Sequence, residues 1–335
     1  MALDIWEESA MKKNPYLTDL NDPDDCIEKF VDFDRDAGFI KERMNLIVEI
    51  LEPKGTHELT YSTFYKGDYA GYHMAKFGCE SMIVGPGEME VIVRGKKTLV
   101  HEGDVMHFGV YNEHEMYWTQ DTPWVGFFHN MNICAPARNK KWAADHNPEM
   151  NDKDFADVFS ATYDSIGLEG AMSIAPEVDK SEIAEIRDKD FSLDSFEREG
   201  LLAEQKIGRW ETEGMYEYWR LTMKKGFFAE SSKLNPRGNV YYIQKGSVHF
   251  KIYDEEFDAF SNNIVFIPEY SKYRFTVNED DSVMYDMYNS CLTHNLVNEL
   301  NTVKALYPEK LKDKDYVESL KEKYCCYITA SGVLN

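Results

Sequence analysis

The stretch GYHMAKFGCESMIVGPGEMEVIVRG, residues 71–95, decides how this chain is read. His73 is followed seven places on by Glu80, then by a Gly-Pro-Gly turn and the run Glu88–Val93. Short apolar runs bounded by glycine turns read as antiparallel strands. On a strand, residues of equal parity share a face. His73 therefore goes with Ala75, and Glu80 with Met82 and Val84.

The chain around this stretch is large, acidic and aromatic. Its 335 residues suffice for two domains, and 43% hydrophobic with 14% aromatic residues supports a substantial core. The net charge of −23 argues against a nucleic-acid partner, which requires clustered Lys and Arg. It equally disfavours an anionic membrane surface, and no run approaches the ~18 apolar residues of a membrane span. The opening MALDIWEESAMKK carries acids where a secretion signal is apolar, so a cytoplasmic location is expected. Cys26, Cys79, Cys134, Cys291, Cys325 and Cys326 show no CxxC spacing and read as free thiols. The Cys325–Cys326 pair reads as C-terminal packing.

Residues 1–43 read as an N-terminal helical segment. Within 22–36, Asp22 caps, Pro23 suits the first helical position, and Ile27, Phe30 and Val31 share a face. Residues 44–139 carry the strand pattern. Residues 140–205 read as an acidic, partly helical connector, with Phe155, Val158 and Phe159 on one helical face. Strands return over 206–291. Residues 292–335 read as two helices, one marked by Leu296, Val297, Leu300, Val303 and Leu306, the other by Tyr316, Leu320 and Tyr324.

The two β-regions overlay at one offset, 246 − 87 = 159 residues, which sets Gly246 on Gly87. YKGDYAG (65–71) falls on KKGFFAE (224–230), EVIV (90–93) on HFKI (249–252), and GDVMHFG (103–109) on NNIVFIP (262–268). FFHN (127–130) falls on DMYN (286–289). A gap-free register from Tyr65 to Asn130 is the mark of an internal duplication.

Each module resembles a cupin, a small antiparallel barrel of the jelly-roll type. The first cupin motif, Gly, His-x-His, Glu, Gly, is matched by His73, Glu80 and Gly87, with Ala75 where the second His stands. The second motif is matched by Gly103-Asp104, Gly109 in the Pro place, and His114. The resemblance implies a mostly β chain of two tandem barrels with helical terminal and linker segments. It implies metal-dependent chemistry on a small organic molecule, in a family that includes dioxygenases, isomerases, decarboxylases, lyases and non-catalytic binding proteins. It also leaves a homodimer open.

If the faces carrying His73, Glu80 and His114 line one interior, two imidazoles and a carboxylate converge there. Metal coordination resolves the cost of burying that carboxylate. Two His and one carboxylate is the ligand set of non-haem Fe(II) oxygenases, with Zn, Mn or Ni as other fitting ions. The expected reaction is dioxygenation of an aromatic or enolisable compound. A redox-neutral isomerase or lyase, or a pure binding protein, are the other readings. Met82, Met116 and Trp118 are the expected substrate wall, and His107 and His129 the candidate proton carriers. Tyr72, His101 and Glu113 are expected outside the pocket. At the same offset the ligands become Ser232, Leu234 (for Ala75), Asn239 and Tyr273, so the second module is expected to be catalytically silent.

Overall fold

The computed structural model describes residues 14, 16–22, 28–30, 44–52, 55–129, 146–147, 149, 158–159, 161–162, 164–168, 174–214, 216–231, 239–268, 271–287 and 293–323. They form two compact units, residues 22–191 and residues 1–21 with 192–335.

The strands in chain order begin with β1 (Leu17–Asp19), β2 (Glu28–Phe30), β3 (Met44–Glu52), β4 (Gly55–Phe64), β5 (Tyr69–Met74) and β6 (Cys79–Val84). Then come β7 (Glu88–Val93), β8 (Lys96–His101), β9 (Val105–Phe108), β10 (His114–Trp118), β11 (Thr122–His129), β12 (Ile166–Gly167) and β13 (Ile186–Arg187). The second series is β14 (Asp194–Arg198), β15 (Leu201–Ile207), β16 (Tyr218–Met223), β17 (Phe228–Ser231) and β18 (Asn239–Lys245). It ends with β19 (Ser247–Ile252), β20 (Glu255–Phe260), β21 (Asn263–Ile267), β22 (Tyr273–Val277) and β23 (Ser282–Asp286), followed by helices α1 (Thr293–Leu306) and α2 (Lys314–Lys323).

In the first unit one sheet runs β13-β9-β6-β11-β4-β3-β2 and the other β12-β5-β10-β7-β8. In the second unit the sheets run β1-β21-β18-β23-β16-β15-β14 and β17-β22-β19-β20. Adding twelve to each strand number from β2 to β11 converts one order into the other, so the whole ten-strand barrel is repeated. Each unit is filled by the inward faces of its two sheets. Phe64, Met82, Val91, Met106, Met116 and Trp124 are among those filling the first, and Trp219, Leu221, Tyr241, Ile243, Phe250 and Phe275 among those filling the second.

The shared turn glycines have a steric cause. Gly87 (φ +132°) and Gly246 (φ +87°) lie in the left-handed half of backbone space. A side chain at Gly87 would run into Thr122 Oγ1, and one at Gly246 into Ser282 Oγ. Each glycine thus sits hard against the first residue of the barrel's last strand.

Two sequence expectations change. The helix expected over 22–36 is not formed at Glu28–Phe30, which pairs as an edge strand with Met44–Leu46. The open ladder of β3 overrides local helix signals. The rest of that expected helix, 23–27 and 31–36, lies outside the described residues. The second barrel also starts before 206, because β14 and β15 belong to its sheet. Their polar sequence hides them: β14 buries Phe196 while Asp194, Ser195 and Glu197 are exposed, and β15 buries Glu204, Gln205 and Lys206 alongside Leu201 and Ala203. Among the described residues the connector also lends β12 to the edge of β5 and β13 to the edge of β9. In the C-terminal helices Val303 and Leu320 are buried and Leu306 is exposed. No helix among the described residues is long and apolar enough to cross a membrane.

Candidate metal centre

Glu80 opens the inward face of β6, opposite Phe108 on β9 and Phe128 on β11. His114 begins β10 directly across from His73 on β5 and Val93 on β7. Nε2 of His73 and Nε2 of His114 each lie 3.4 Å from Glu80 Oε1. The three donor groups fall within 4.8 Å of one another. Glu80 and His114 are buried, while His73 keeps 16% of its side chain exposed. The Phe108 ring stacks on the His114 imidazole, centroids 3.8 Å apart.

A β-bulge aims His73. From His114 to Met116 is two residues, but their partners His73 and Ala70 are three apart. The extra residue lies at Gly71–Tyr72, and a bulge re-aims the side chain beside it. The Gly71 carbonyl accepts a hydrogen bond from His73 Nδ1 at 2.6 Å. The Asn112 carbonyl accepts likewise from His114 Nδ1 at 3.0 Å.

These two bonds decide the chemistry. A carbonyl only accepts, so both Nδ1 atoms carry protons. In the neutral rings both Nε2 atoms then present lone pairs to Glu80 Oε1, itself an acceptor. Glu80 Oε1 and His114 Nε2 have no hydrogen-bond partner. Three convergent acceptors are satisfied together by a cation, and a metal-bound His commonly donates its other N–H to a backbone carbonyl. The residues therefore fit one divalent metal.

In the metal-free site, ionisation follows from the same contacts. Burial works to raise the Glu80 pKa, but the adjacent imidazoles outweigh it and hold the carboxyl far below its usual range. Burial, with the charge of His73, lowers His114. Burial also opposes charge on His73, yet the Glu80 carboxylate beside it leaves its pKa raised.

The expected pocket residues separate into two sets. Met82, Met116 and Trp118 are buried in the interior, where Trp118 stacks on Phe64 at 4.0 Å. His107 and His129 do not join them, which corrects their expected place beside the ligands. Phe108 and Phe128 share the Glu80 face, so their neighbours His107 and His129 point to the other side of that sheet. His107 Nδ1 lies 2.8 Å from Ser81 Oγ there, and both histidines are buried. Tyr72 and Glu113 bond to each other at 2.8 Å, and His101 pairs with Glu88 at 3.4 Å, away from the centre as expected.

In the second barrel Asn239 pairs with Ile267 as Glu80 pairs with Phe108, and Tyr273 pairs with Ile252 as His114 pairs with Val93. The residue across from Tyr273 is Ser231, one short of the expected Ser232, because β17 lacks the bulge of β5. Ser232 and Leu234 lie outside the described residues, as do Asn130 and Asn289. The Tyr273 and Tyr241 hydroxyls are hydrogen-bonded at 2.7 Å.

No family model and no curated protein matches the sequence. Solved structures do match. A salicylate 1,2-dioxygenase from Pseudaminobacter salicylatoxidans superposes with a TM-score of 0.52 at 8% identity, covering 75% of this chain and 78% of that one. A cupin 2 conserved barrel domain protein from Leptotrichia buccalis gives 0.46 at 9%, covering 78% and 97%. An oxalate decarboxylase from Lactobacillus farciminis gives 0.44 at 13%, covering 79% and 93%. The chain has the two-barrel cupin fold. At these identities the likeness speaks for the fold of this chain and not for its reaction.

Sequence reading missed Gly71, Asn112 and Phe108. Each was within reach: the two carbonyls sit two residues before their histidines, and Phe108 shares parity with Met106.

Proposed function

We propose that the first barrel holds one divalent metal on His73, Glu80 and His114, with Fe(II) favoured, and acts on a small organic substrate as a dioxygenase of an aromatic or enolisable compound. The observation that carries this is the convergence of three lone-pair donors whose histidines are already committed through Nδ1 to backbone carbonyls. Bound iron would supply open coordination positions for substrate and O2 and a reversible one-electron couple. Glu80 supplies the negative charge that keeps the cation in an apolar interior. His73 and His114 fix its position through the Gly71 and Asn112 carbonyls. Phe108, Phe128, Met82 and Met116 exclude water and offer an apolar wall suited to an aromatic ring.

The placement of His107 and His129 favours the oxygenase over the isomerase or lyase. Proton-shuttling chemistry needs a base on the substrate side, and among the described residues the histidines on the interior face are the two ligands. Oxygen uptake by the Fe(II)-loaded protein during a screen of aromatic and enolisable compounds tests the reading. Turnover is expected to stop under argon and on replacement of Fe by Zn, which has no redox chemistry. Undiminished anaerobic turnover by the Zn-loaded protein would replace this reading with the isomerase or lyase. Tight binding without turnover would leave a binding protein.

A further inference from the structure

Each metal-site histidine is backed by a carboxylate from the connector. Asp164 Oδ1 accepts from the Lys76 amide at 2.9 Å, and its Oδ2 accepts from the Phe77 and Gly78 amides at 2.7 and 2.8 Å. These three consecutive N–H groups form the turn between His73 and Glu80. Asp164 is buried and holds a left-handed backbone conformation (φ +68°). Two residues later, β12 pairs with the ligand strand itself, Gly167 opposite His73 and Ile166 opposite Met74. The Leu168 amide then donates to the Tyr72 carbonyl at 2.7 Å, inside the bulge.

The other histidine is held in the same manner. Glu185 Oε1 accepts from Asn112 Nδ2 at 2.8 Å, and the Asn112 carbonyl is the one that orients His114. The Glu185 carbonyl accepts from the His107 amide at 2.9 Å, one residue before the Phe108 ring that covers His114.

We infer that Asp164 and Glu185 are positioning residues of the metal centre, and that the connector segments 164–168 and 174–187 set the spacing of His73, Glu80 and His114. A turn whose three amides converge on one carboxylate has a single geometry, so the distance from His73 to Glu80 is fixed before any cation arrives. This inference rests on the metal reading above.

Cobalt(II) is a suitable probe, since its visible absorption reports ligand geometry and its titration gives an affinity without turnover. Asp164→Ala should weaken cobalt binding by about 10–100-fold, the usual loss when a group supporting metal ligands is removed. Glu185→Ala should weaken it about tenfold, and Glu185→Gln, which keeps an acceptor for Asn112, should stay within about threefold of wild type. Asp121→Ala is the matched control: Asp121 Oδ1 accepts from the Lys66 amide at 2.8 Å in another turn of the same barrel. It should lower stability and leave cobalt affinity and spectrum unchanged. Hydrogen exchange of the metal-free protein should show the 76–78 amides protected in wild type and open in the Asp164 variants. If Asp164→Ala does not fold, Asp164→Asn, with one acceptor oxygen left, and the Glu185 pair decide the matter. Unchanged affinity and spectrum in the Asp164 and Glu185 variants, or an equal loss in Asp121→Ala, would overturn the inference. A wild-type chain that binds no cobalt would remove the metal reading as well, which separates the two failures.

Discussion

The two barrels share one ten-strand order and opposite electrostatics. In the first, buried Glu80 faces two imidazoles and stays ionised. In the second, Glu217 is just as buried but is pushed up to about 8, chiefly by burial, with the charge of Asp286 adding to the effect. Gln205 Nε2 donates to it at 3.0 Å. One barrel keeps a charge and gathers donors for a cation; the other holds its acid neutral. At the site itself the backbone difference is one residue. The β5 bulge that turns His73 inward has no counterpart in β17, where Ser231, Glu230, Ala229 and Phe228 pair regularly with Tyr273–Thr276. A shared fold leaves such a site free to be kept or lost, because barrel closure depends on strand parity and turn glycines.

The comparison breaks most sharply at the ligands. His114→Ala should abolish stoichiometric metal binding, a loss of two or more orders of magnitude, read by elemental analysis after purification without chelator. Equal metal in variant and wild type would erase the distinction between the barrels. Since Ala there also opens space beside Phe108, Glu80→Gln provides a closely isosteric check with the same expected loss.

The second barrel is tested through Glu217. Its folded pKa lies above the ordinary glutamate value of 4.5, so the stability it contributes is complete below about pH 4.5 and is lost as pH rises through about 8. At ~1.4 kcal/mol per unit, the pH-dependent part has a ceiling on the order of 5 kcal/mol. Glu217→Gln should therefore match wild type near pH 4 and exceed it by a few kcal/mol near pH 9, measured by urea unfolding. Parallel stability profiles for the two proteins would show that Glu217 is not held neutral.

Proton release sharpens the contrast from the other side. The His73 pKa is raised above 6.5 by Glu80 despite burial. A metal must then displace the His73 proton, and apparent affinity should fall up to about tenfold per unit of pH below that raised value. Calorimetry in two buffers of different ionisation enthalpy should find about one proton released near pH 6.5. No release would place that proton elsewhere. The smallest effect is expected at Tyr273→Phe. Losing the hydroxyl pair with Tyr241 should cost about 1 kcal/mol and leave metal content unchanged. A drop in bound metal there would show that the second barrel contributes to the site.

Much of the site was legible. Parity on β6 and β10 put Glu80 with Met82 and His114 with Met116 and Trp118, and the structure places them so. Parity failed where the ladder slips. The 159-residue offset holds from β6 to β10, but the bulge shifts it by one at His73, and a loop one residue longer shifts it again so that Thr122 answers to Ser282. The sequence does not place His107 and His129, because nothing in a single strand says which of its two faces turns inward. That is fixed only when Glu80 pairs with Phe108 and Phe128 across the sheet.

The sequence by itself determined that two similar β-modules exist and that only one carries a ligand trio. Those features are local: alternation along a strand, glycines where φ must be positive, and a short spacing from His73 to Glu80. Tertiary structure alone decided that the second barrel begins at Asp194, that a bulge turns His73 inward, and that an acidic connector fastens both histidines through Asp164 and Glu185. Those contacts join residues up to 88 positions apart, and one carboxylate among the chain's 60 acidic residues carries no local mark of the turn it will hold.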